Sequence, residues 1–351
     1  MLTSIKLQHF RSYDEAEFKF SKGVNIIVGP NAIGKTNLLE AILVVCRGSS
    51  YRVKDSELIA YNQDWARLDA QTEQGLRTVK LKQEPTPDKT YEIGDRVFKR
   101  LSLQHTVPVV LFEPNHLLLL HGSPEGRRDY LDGLLEQTQH GFSTLRRDYR
   151  RALAQRNALL KRGEHVAHQQ IFPWDVRLSE LGGRIVGLRQ ELLTAMNERA
   201  AALYGDLAGK QSQLTLHYVS SLPPHNYETH LLGKLESNLS LDLQRGFTGA
   251  GPHREDFKVE LNGHPMQQTA SRGEVRTAVL MLKILELHLI ETARETRPLL
   301  LLDDVFSELD QERRSALTSY LQLYQTFITT TDADAAKAQF KKQTKVIKIG
   351  S

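Results

Sequence analysis

The chain has 351 residues, 40% hydrophobic and 25% charged, with a formal charge of +4 and a pI near 9.0. That balance excludes a disordered or fibrous chain and leaves room for one large domain or two lobes; the mild basic excess matters only where it clusters. The single cysteine, Cys46, excludes an intramolecular disulfide and a cysteine-based zinc site, and fits a reducing compartment. The runs Leu117 to Leu120 and Leu299 to Leu302 are too short to span a bilayer, and Met1 to Lys6 carry no signal-peptide core, so a cytoplasmic protein with no membrane partner is expected.

The first hundred or so residues read as strands. Ala16, Phe18 and Phe20 alternate with Glu15, Glu17 and Lys19, and Val79 and Leu81 with Thr78, Lys80 and Lys82, the pattern of half-buried strands. Val24 to Val28 is nearly continuous in apolar character, as expected of a strand covered on both faces, and leads into a helix with Leu38, Leu39, Ile42 and Leu43 on one stripe. Helical patterns follow from about Glu125 to Arg162 and from about Trp174 to Leu207, with breaks expected at Gly163 and Pro173. A further helix is predicted over Glu274 to Glu295, a buried strand at Leu299 to Leu302, and closing strands around Ile328 and Val346.

Between the buried strand and its helix, Gly29-Pro30-Asn31-Ala32-Ile33-Gly34-Lys35-Thr36 matches G-x-x-x-x-G-K-T, with Asn37 following. Glycines let backbone N–H groups approach phosphate oxygens, and the helix N-terminus adds partial positive charge. Lys35 is expected at the β and γ phosphates of ATP and Thr36 at Mg²⁺. The second apolar strand ends in Asp303-Asp304, the form of a Walker B strand, with Asp303 expected to hold Mg²⁺ and Asp304 to orient the attacking water. About 270 residues separate the two motifs, and no guanine-binding Asn-Lys-x-Asp occurs, a spacing that resembles the ABC-type heads of SMC-like proteins. Such heads carry a signature before Walker B. Ser271-Arg272-Gly273-Glu274 occupies that place, although the same residues also read as an ordinary helix cap.

Residues 141 to 190 hold ten Lys or Arg (Arg146, Arg147, Arg150, Arg151, Arg156, Lys161, Arg162, Arg177, Arg184, Arg189) against four acids (Asp148, Glu164, Asp175, Glu180). Arg146, Arg147, Arg150 and Arg151 recur at helical spacing and read either as a solvated face or as a stripe for DNA phosphates.

Several stretches together resemble the RecF family: Leu302-Asp303-Asp304-Val305-Phe306-Ser307-Glu308-Leu309-Asp310, Ser271-Arg272-Gly273, Gly251-Pro252-His253-Arg254-Glu255-Asp256, Phe10-Arg11-Ser12-Tyr13, Tyr51-Arg52, and Gly122-Ser123-Pro124 with Arg127-Arg128. The resemblance spans Phe10 to about Thr331. It implies an α/β P-loop ABC-type ATPase head, SMC-like, in two lobes. Lobe I would be residues 1–110 and 290–351; lobe II, 111–289, would carry the signature and a helical insertion at about 125–245. It further implies Arg11 and Arg52 as phosphate contacts, slow ATP hydrolysis, and DNA binding at a duplex or a single/double-strand junction. Membership also implies work with RecO and RecR to load RecA in gap repair and the SOS response. Phosphate loop and signature lie on different lobes in such heads and face outward, so one chain offers half a site twice over, and an ATP-dependent homodimer is expected. The departures from transporter-like heads are Asp304 in place of glutamate, Arg272 and Glu274 in the signature, and Thr329-Thr330-Thr331 where a switch histidine would stand; Glu113 is the nearest Q-loop candidate. Rival readings are a transporter ATPase subunit and a DNA clamp with negligible turnover.

Overall fold

The computed structural model describes every residue except 84, 86, 164–167, 333–339, 341–343 and 351. Glu164, one of the four acids counted above, lies outside the described residues. In chain order the N-terminal elements are β1 (Leu2–Phe10), β2 (Tyr13–Lys19), β3 (Val24–Val28), α1 (Lys35–Arg47), β4 (Trp65–Thr72), β5 (Gly75–Lys82), β6 (Asp88–Ile93), β7 (Arg96–Phe98) and β8 (Val109–Phe112). The middle of the chain forms α2 (Pro124–Thr138), α3 (Phe142–Leu160), α4 (His168–Ala208), β9 (Leu214–Val219), α5 (Tyr227–Ser237), α6 (Leu239–Arg245), β10 (Asp256–Leu261), β11 (His264–Pro265) and α7 (Met266–Thr269). Then come α8 (Arg272–Arg294), β12 (Leu299–Leu302), α9 (Val305–Glu308), α10 (Gln311–Leu321), β13 (Thr326–Thr330) and β14 (Thr344–Lys348).

These elements divide into two compact units, Met1–His116 with Glu286–Ser351, and Leu117–Leu285. The first unit contains a six-stranded antiparallel sheet, β2-β1-β4-β5-β6-β7, and a five-stranded parallel sheet, β14-β3-β13-β12-β8. Helix α1 packs against β1, β4 and β5 of one sheet and β8 and β13 of the other. Apolar residues on most of its circumference therefore go inside: Leu38, Leu39, Ile42 and Val44 are fully buried in one core with Ile5, Leu68, Leu301 and Phe327. The parallel strands read as unbroken apolar runs because both faces are covered; every residue of β12 is buried. Asn25, the polar exception in β3, is fully buried and satisfied, accepting from the Ser21 amide at 2.7 Å and donating to its carbonyl at 3.0 Å.

The second unit holds α2 to α7 and a three-stranded antiparallel sheet, β11-β10-β9. Strands β9 and β10 stand where the sequence patterns suggest only helices and linkers. Helix α4 also corrects an expectation. It starts at His168 and runs through Pro173, which was expected to break it. Proline there removes one hydrogen bond near the helix start, while Ile171 and Asp175 on either side are both fully buried and hold that turn by tertiary contacts.

The interior of this unit is not purely apolar. Arg156 is fully buried and binds Asp175 Oδ1 at 2.5 Å, Asp242 Oδ2 at 2.7 Å and Thr248 Oγ1 at 2.9 Å. Arg189, also buried, binds Asp132 Oδ1 at 2.8 Å and the Pro252 carbonyl at 2.8 Å. Both arginines belong to the basic count over residues 141 to 190, yet neither faces solvent. A buried guanidinium needs carboxylates and carbonyls to replace its water, and these ion pairs supply them.

Candidate nucleotide site

Strand β3 is paired in parallel with β13 on one side and β14 on the other, so three strand ends open on one edge of the sheet, where the loop Gly29 to Gly34 departs. Ala32 (φ 65°) and Gly34 (φ 114°) are left-handed, turning the loop back onto the N-terminus of α1. At Gly34 a side chain has no space: a Cβ would lie 2.9 Å from Ser12 Oγ and 3.1 Å from the Tyr13 hydroxyl. The Tyr13 hydroxyl donates to the Gly34 carbonyl at 3.0 Å, and Asn37 Nδ2 donates to Ser12 Oγ at 2.9 Å. The Phe10-Arg11-Ser12-Tyr13 stretch thus braces the loop, and Pro30, Asn31, Ala32 and Ile33 stay exposed at its crown. Lys35 is buried, its ammonium donating to the carbonyls of Gly29 (2.8 Å) and Pro30 (2.9 Å).

The carboxylate of Asp303, at the end of β12, meets this loop from far along the chain. Its Oδ1 accepts from Thr36 Oγ1 at 2.9 Å, across 267 residues, and from Thr329 Oγ1 at 2.8 Å; its Oδ2 accepts from the Tyr51 hydroxyl at 3.2 Å. Burial, followed by the negative charges of Asp303 and Glu113, pushes the Tyr51 phenol well above its usual range, so it remains a donor. Thr329 also accepts from the Asp304 amide at 2.9 Å, fixing the backbone of a residue at φ 50°. The Asp304 carboxyl is raised above the ordinary aspartate range, first by burial and then by Asp303, with Lys35 and Thr329 opposing.

Thr36 Oγ1 and Asp303 Oδ1 are two hard oxygens within contact of each other. No group of three or more His, Cys, Asp or Glu that could hold a metal occurs among the described residues. That donor set fits Mg²⁺, which takes few protein ligands and fills its sphere with phosphate oxygens and water. Tyr51 and Thr329 are the members of this cluster whose contacts sequence reasoning did not supply. The signal for Thr329 lay in its place at the expected switch position; that for Tyr51 lay beside Arg52, the residue singled out instead.

Arg11, expected at a phosphate, is held here by protein groups. At φ 52°, its Nε donates to the fully buried Glu40 at 2.9 Å and its Nη1 to the Glu57 carbonyl at 3.0 Å, while Ser50 Oγ donates to the other Glu40 oxygen. It ties β1 to α1.

In the second unit, Ser271 and Arg272 are exposed and Gly273 half-buried at the start of α8. Ser271 N–H and Oγ donate to Glu274 Oε2 at 3.0 and 2.9 Å, and the Glu274 amide returns a bond to Ser271 Oγ at 3.3 Å, a reciprocal capping box. The four arginines of α3 are not equivalent. Arg146 is enclosed by Asp129, Asp132 and Glu136; Arg147 pairs with Asp148 at 3.5 Å; Arg150 and Arg151 are exposed, with Arg150 3.9 Å from Asp129.

A family model described as RecF/RecN/SMC N terminal domain matches residues 1–350. The chain is 32% identical over 342 residues to the DNA replication and repair protein RecF of Acetivibrio thermocellus, covering 94% of this chain and 93% of that one. Against the protein of the same name from Halothermothrix orenii the identity is 36% over 342 residues, with 93% and 91% covered. A solved structure of the recombination mediator protein RecF-ATPrS in the RecFOR pathway aligns with a TM-score of 0.88 at 29% identity, covering 99% of this chain and 96% of that one. A second, of RecF-ATP, gives 0.84 at 30%, with 94% and 92% covered. An SMC head bound to a domain of ScpA, at 15% identity and a TM-score of 0.51 over 99% of this chain and 94% of that one, shares the fold alone. The fold is therefore the α/β, SMC-like ABC-type ATPase head that the motifs predict. No helix among the described residues is long and apolar enough to cross a membrane.

Proposed function

Because this chain belongs to the RecF family, we propose that it is an ATP-binding, DNA-binding protein of recombinational repair that pairs on ATP, hydrolyses it slowly, and helps load RecA together with RecO and RecR. The observation that carries the nucleotide reading is the Thr36–Asp303 hydrogen bond of 2.9 Å beside Lys35, which joins the two halves of a P-loop site across the chain. Two solved RecF structures, described as ATPrS and ATP complexes, support the choice of nucleotide. In this reading the loop amides from Gly29 to Gly34 and Lys35 hold the phosphates, and Thr36 and Asp303 hold Mg²⁺, whose charge offsets that of the phosphate oxygens. Asp304 orients water. Its side chain is shorter than the glutamate of transporter-like heads and would hold that water less effectively, which supports slow turnover, and the same feature leaves a clamp with negligible turnover as the second reading.

We take the two compact units as the two lobes of the head. Ser271, Arg272 and Gly273 would close on the nucleotide held by a second copy, forming a two-fold dimer with two composite sites. Arg150 and Arg151, the exposed members of the α3 stripe, are the better candidates for DNA phosphates, with Arg147 beside them; Arg146 serves the fold.

ATP turnover measured against protein concentration, with and without a gapped duplex, tests the proposal. Specific activity should climb with concentration and rise further with DNA. The Ser271→Arg chain should bind ATP yet stay monomeric in sedimentation; a concentration-independent rate, or an S271R dimer, would exclude the composite site.

A further inference from the structure

The carboxylate that caps the signature serine has two separate partners. Glu274 gives its Oε2 to Ser271 N–H and Oγ, and its Oε1 lies 3.5 Å from Lys210 Nζ. Lys210 arrives from the turn after α4, 64 residues earlier, following Gly209 at φ 65°. Its side chain is 60% exposed and stands at the rim of an open concavity of about 770 Å³, shared with Gly205, Asp206, Gln213 and Asn262. It has room to follow a moving partner. The Glu274 carboxyl is held below the ordinary glutamate range, first by the Ser271 amide and hydroxyl and then by Lys210, so it is an anion near neutral pH.

This arrangement bears on the composite site proposed above and rests on that reading. A phosphate that accepts from Ser271 N–H and Oγ, just ahead of α8, needs the same two donors that Glu274 Oε2 now occupies. Two anions cannot share them, because both would sit within about 3 to 4 Å of each other with no cation between, where like charges repel even through water. The carboxylate has to give way, and the cation already on its other oxygen determines where it goes.

We infer that Glu274 competes with the incoming phosphate for Ser271, and that Lys210 is the positioning residue that draws the displaced carboxylate aside so that the signature can engage nucleotide on a second chain. Lys210 makes no contact with the phosphate in this scheme. It acts through Glu274, so its contribution exists only while residue 274 is charged. The Ser271–Glu274 cap then has two settings: closed on itself in the single chain, opened onto Lys210 in the pair.

A double-mutant cycle tests this. Dimer dissociation constants are measured by sedimentation equilibrium at saturating ATP for the unmodified chain, Lys210→Met, Glu274→Gln, the double variant and Lys210→Arg. Fluorescent-ATP affinity at concentrations too dilute for pairing reports the phosphate loop separately. Lys210→Met should weaken pairing about fivefold, the scale of one surface charge pair; Lys210→Arg should restore it, and in the Glu274→Gln background Lys210→Met should have no effect. An equal loss in both backgrounds would mean that Lys210 meets the phosphate directly or merely supports the fold, and the inference falls. So it does if Lys210→Met is neutral while the unmodified chain pairs on ATP, which leaves the composite site standing. If the unmodified chain binds ATP and never pairs, the composite site fails and takes this inference with it.

Discussion

The phosphate-loop region and the signature region are built on opposite plans. Around the loop, residues brought together from across the chain are fastened by partly to fully buried, multiply shared hydrogen bonds: one Asp303 carboxylate serves Thr36, Thr329 and Tyr51. Around Ser271 the bonds are local, exposed and reciprocal within four residues, with a longer reach from Glu274 to Lys210. A site that must hold triphosphate and metal in fixed geometry gains from preorganisation, since nothing has to be ordered when the ligand arrives. On the composite-site proposal, a surface that exchanges its own cap for a group on another molecule gains from bonds that are easily broken. Elsewhere in the second unit, buried charge networks about Arg156 and Arg189 give it a stiff support.

The largest expected effect breaks the support and spares the loop. Arg156→Met leaves Asp175 and Asp242 buried without their cation and should destabilise the second unit by about 3 to 5 kcal/mol. Fluorescent-ATP binding should survive into denaturant concentrations at which near-ultraviolet circular dichroism has already lost part of its signal; a single coincident transition would show that the units stand or fall together. Next in size, Asp304→Asn should lower turnover by about a hundredfold while ATP affinity and pairing persist. An unaltered, near-background rate in both chains would favour the clamp over the ATPase.

The smallest effect is a pH dependence confined to the second unit. His253 donates or accepts with the Tyr149 hydroxyl at 2.7 Å and the Thr248 carbonyl at 3.1 Å, and burial lowers its pKa from 6.5 to about 4. The unfolded chain therefore binds this proton more readily than the folded one. Stability should be complete above about pH 6.5 and fall as the pH drops toward 4, by no more than roughly 1.4 kcal/mol per pH unit. Urea midpoints at pH 7.5 and 5.0 measure the slope, which His253→Gln should flatten; an unchanged slope would assign it to other groups.

How far the sequence revealed these regions follows from how they are made. The loop was legible because Gly29, Gly34, Lys35 and Thr36 are consecutive and flanked by two strong periodicities, and Asp303 because an all-leucine strand announces it. The contacts of Tyr51 and Thr329 were not, since the Tyr51 bond to Asp303 spans 252 residues and leaves no spacing to read, and Thr329 meets Asp303 only through the parallel pairing of β12 with β13. The burial of Arg156 and Arg189, counted only within the basic excess, was hidden for a different reason. A basic residue within a basic run looks like surface, and only the fold reveals the aspartates that let it be buried. The strands β9 and β10 escaped notice because they are short and lie between long helical patterns.

The position of β3 in its sheet has a consequence in time. The strand that launches the phosphate loop is flanked on both sides by β13 and β14, which leave the ribosome only after the whole of the second unit has been made. Ile349 and Gly350, later still, close against Gly29 and Ile33. A nascent or prematurely terminated chain thus carries the nucleotide motif without the neighbours that shape it. The loop can take its present shape only once β14 has been made, so strand order sets the moment at which this edge of the sheet is complete.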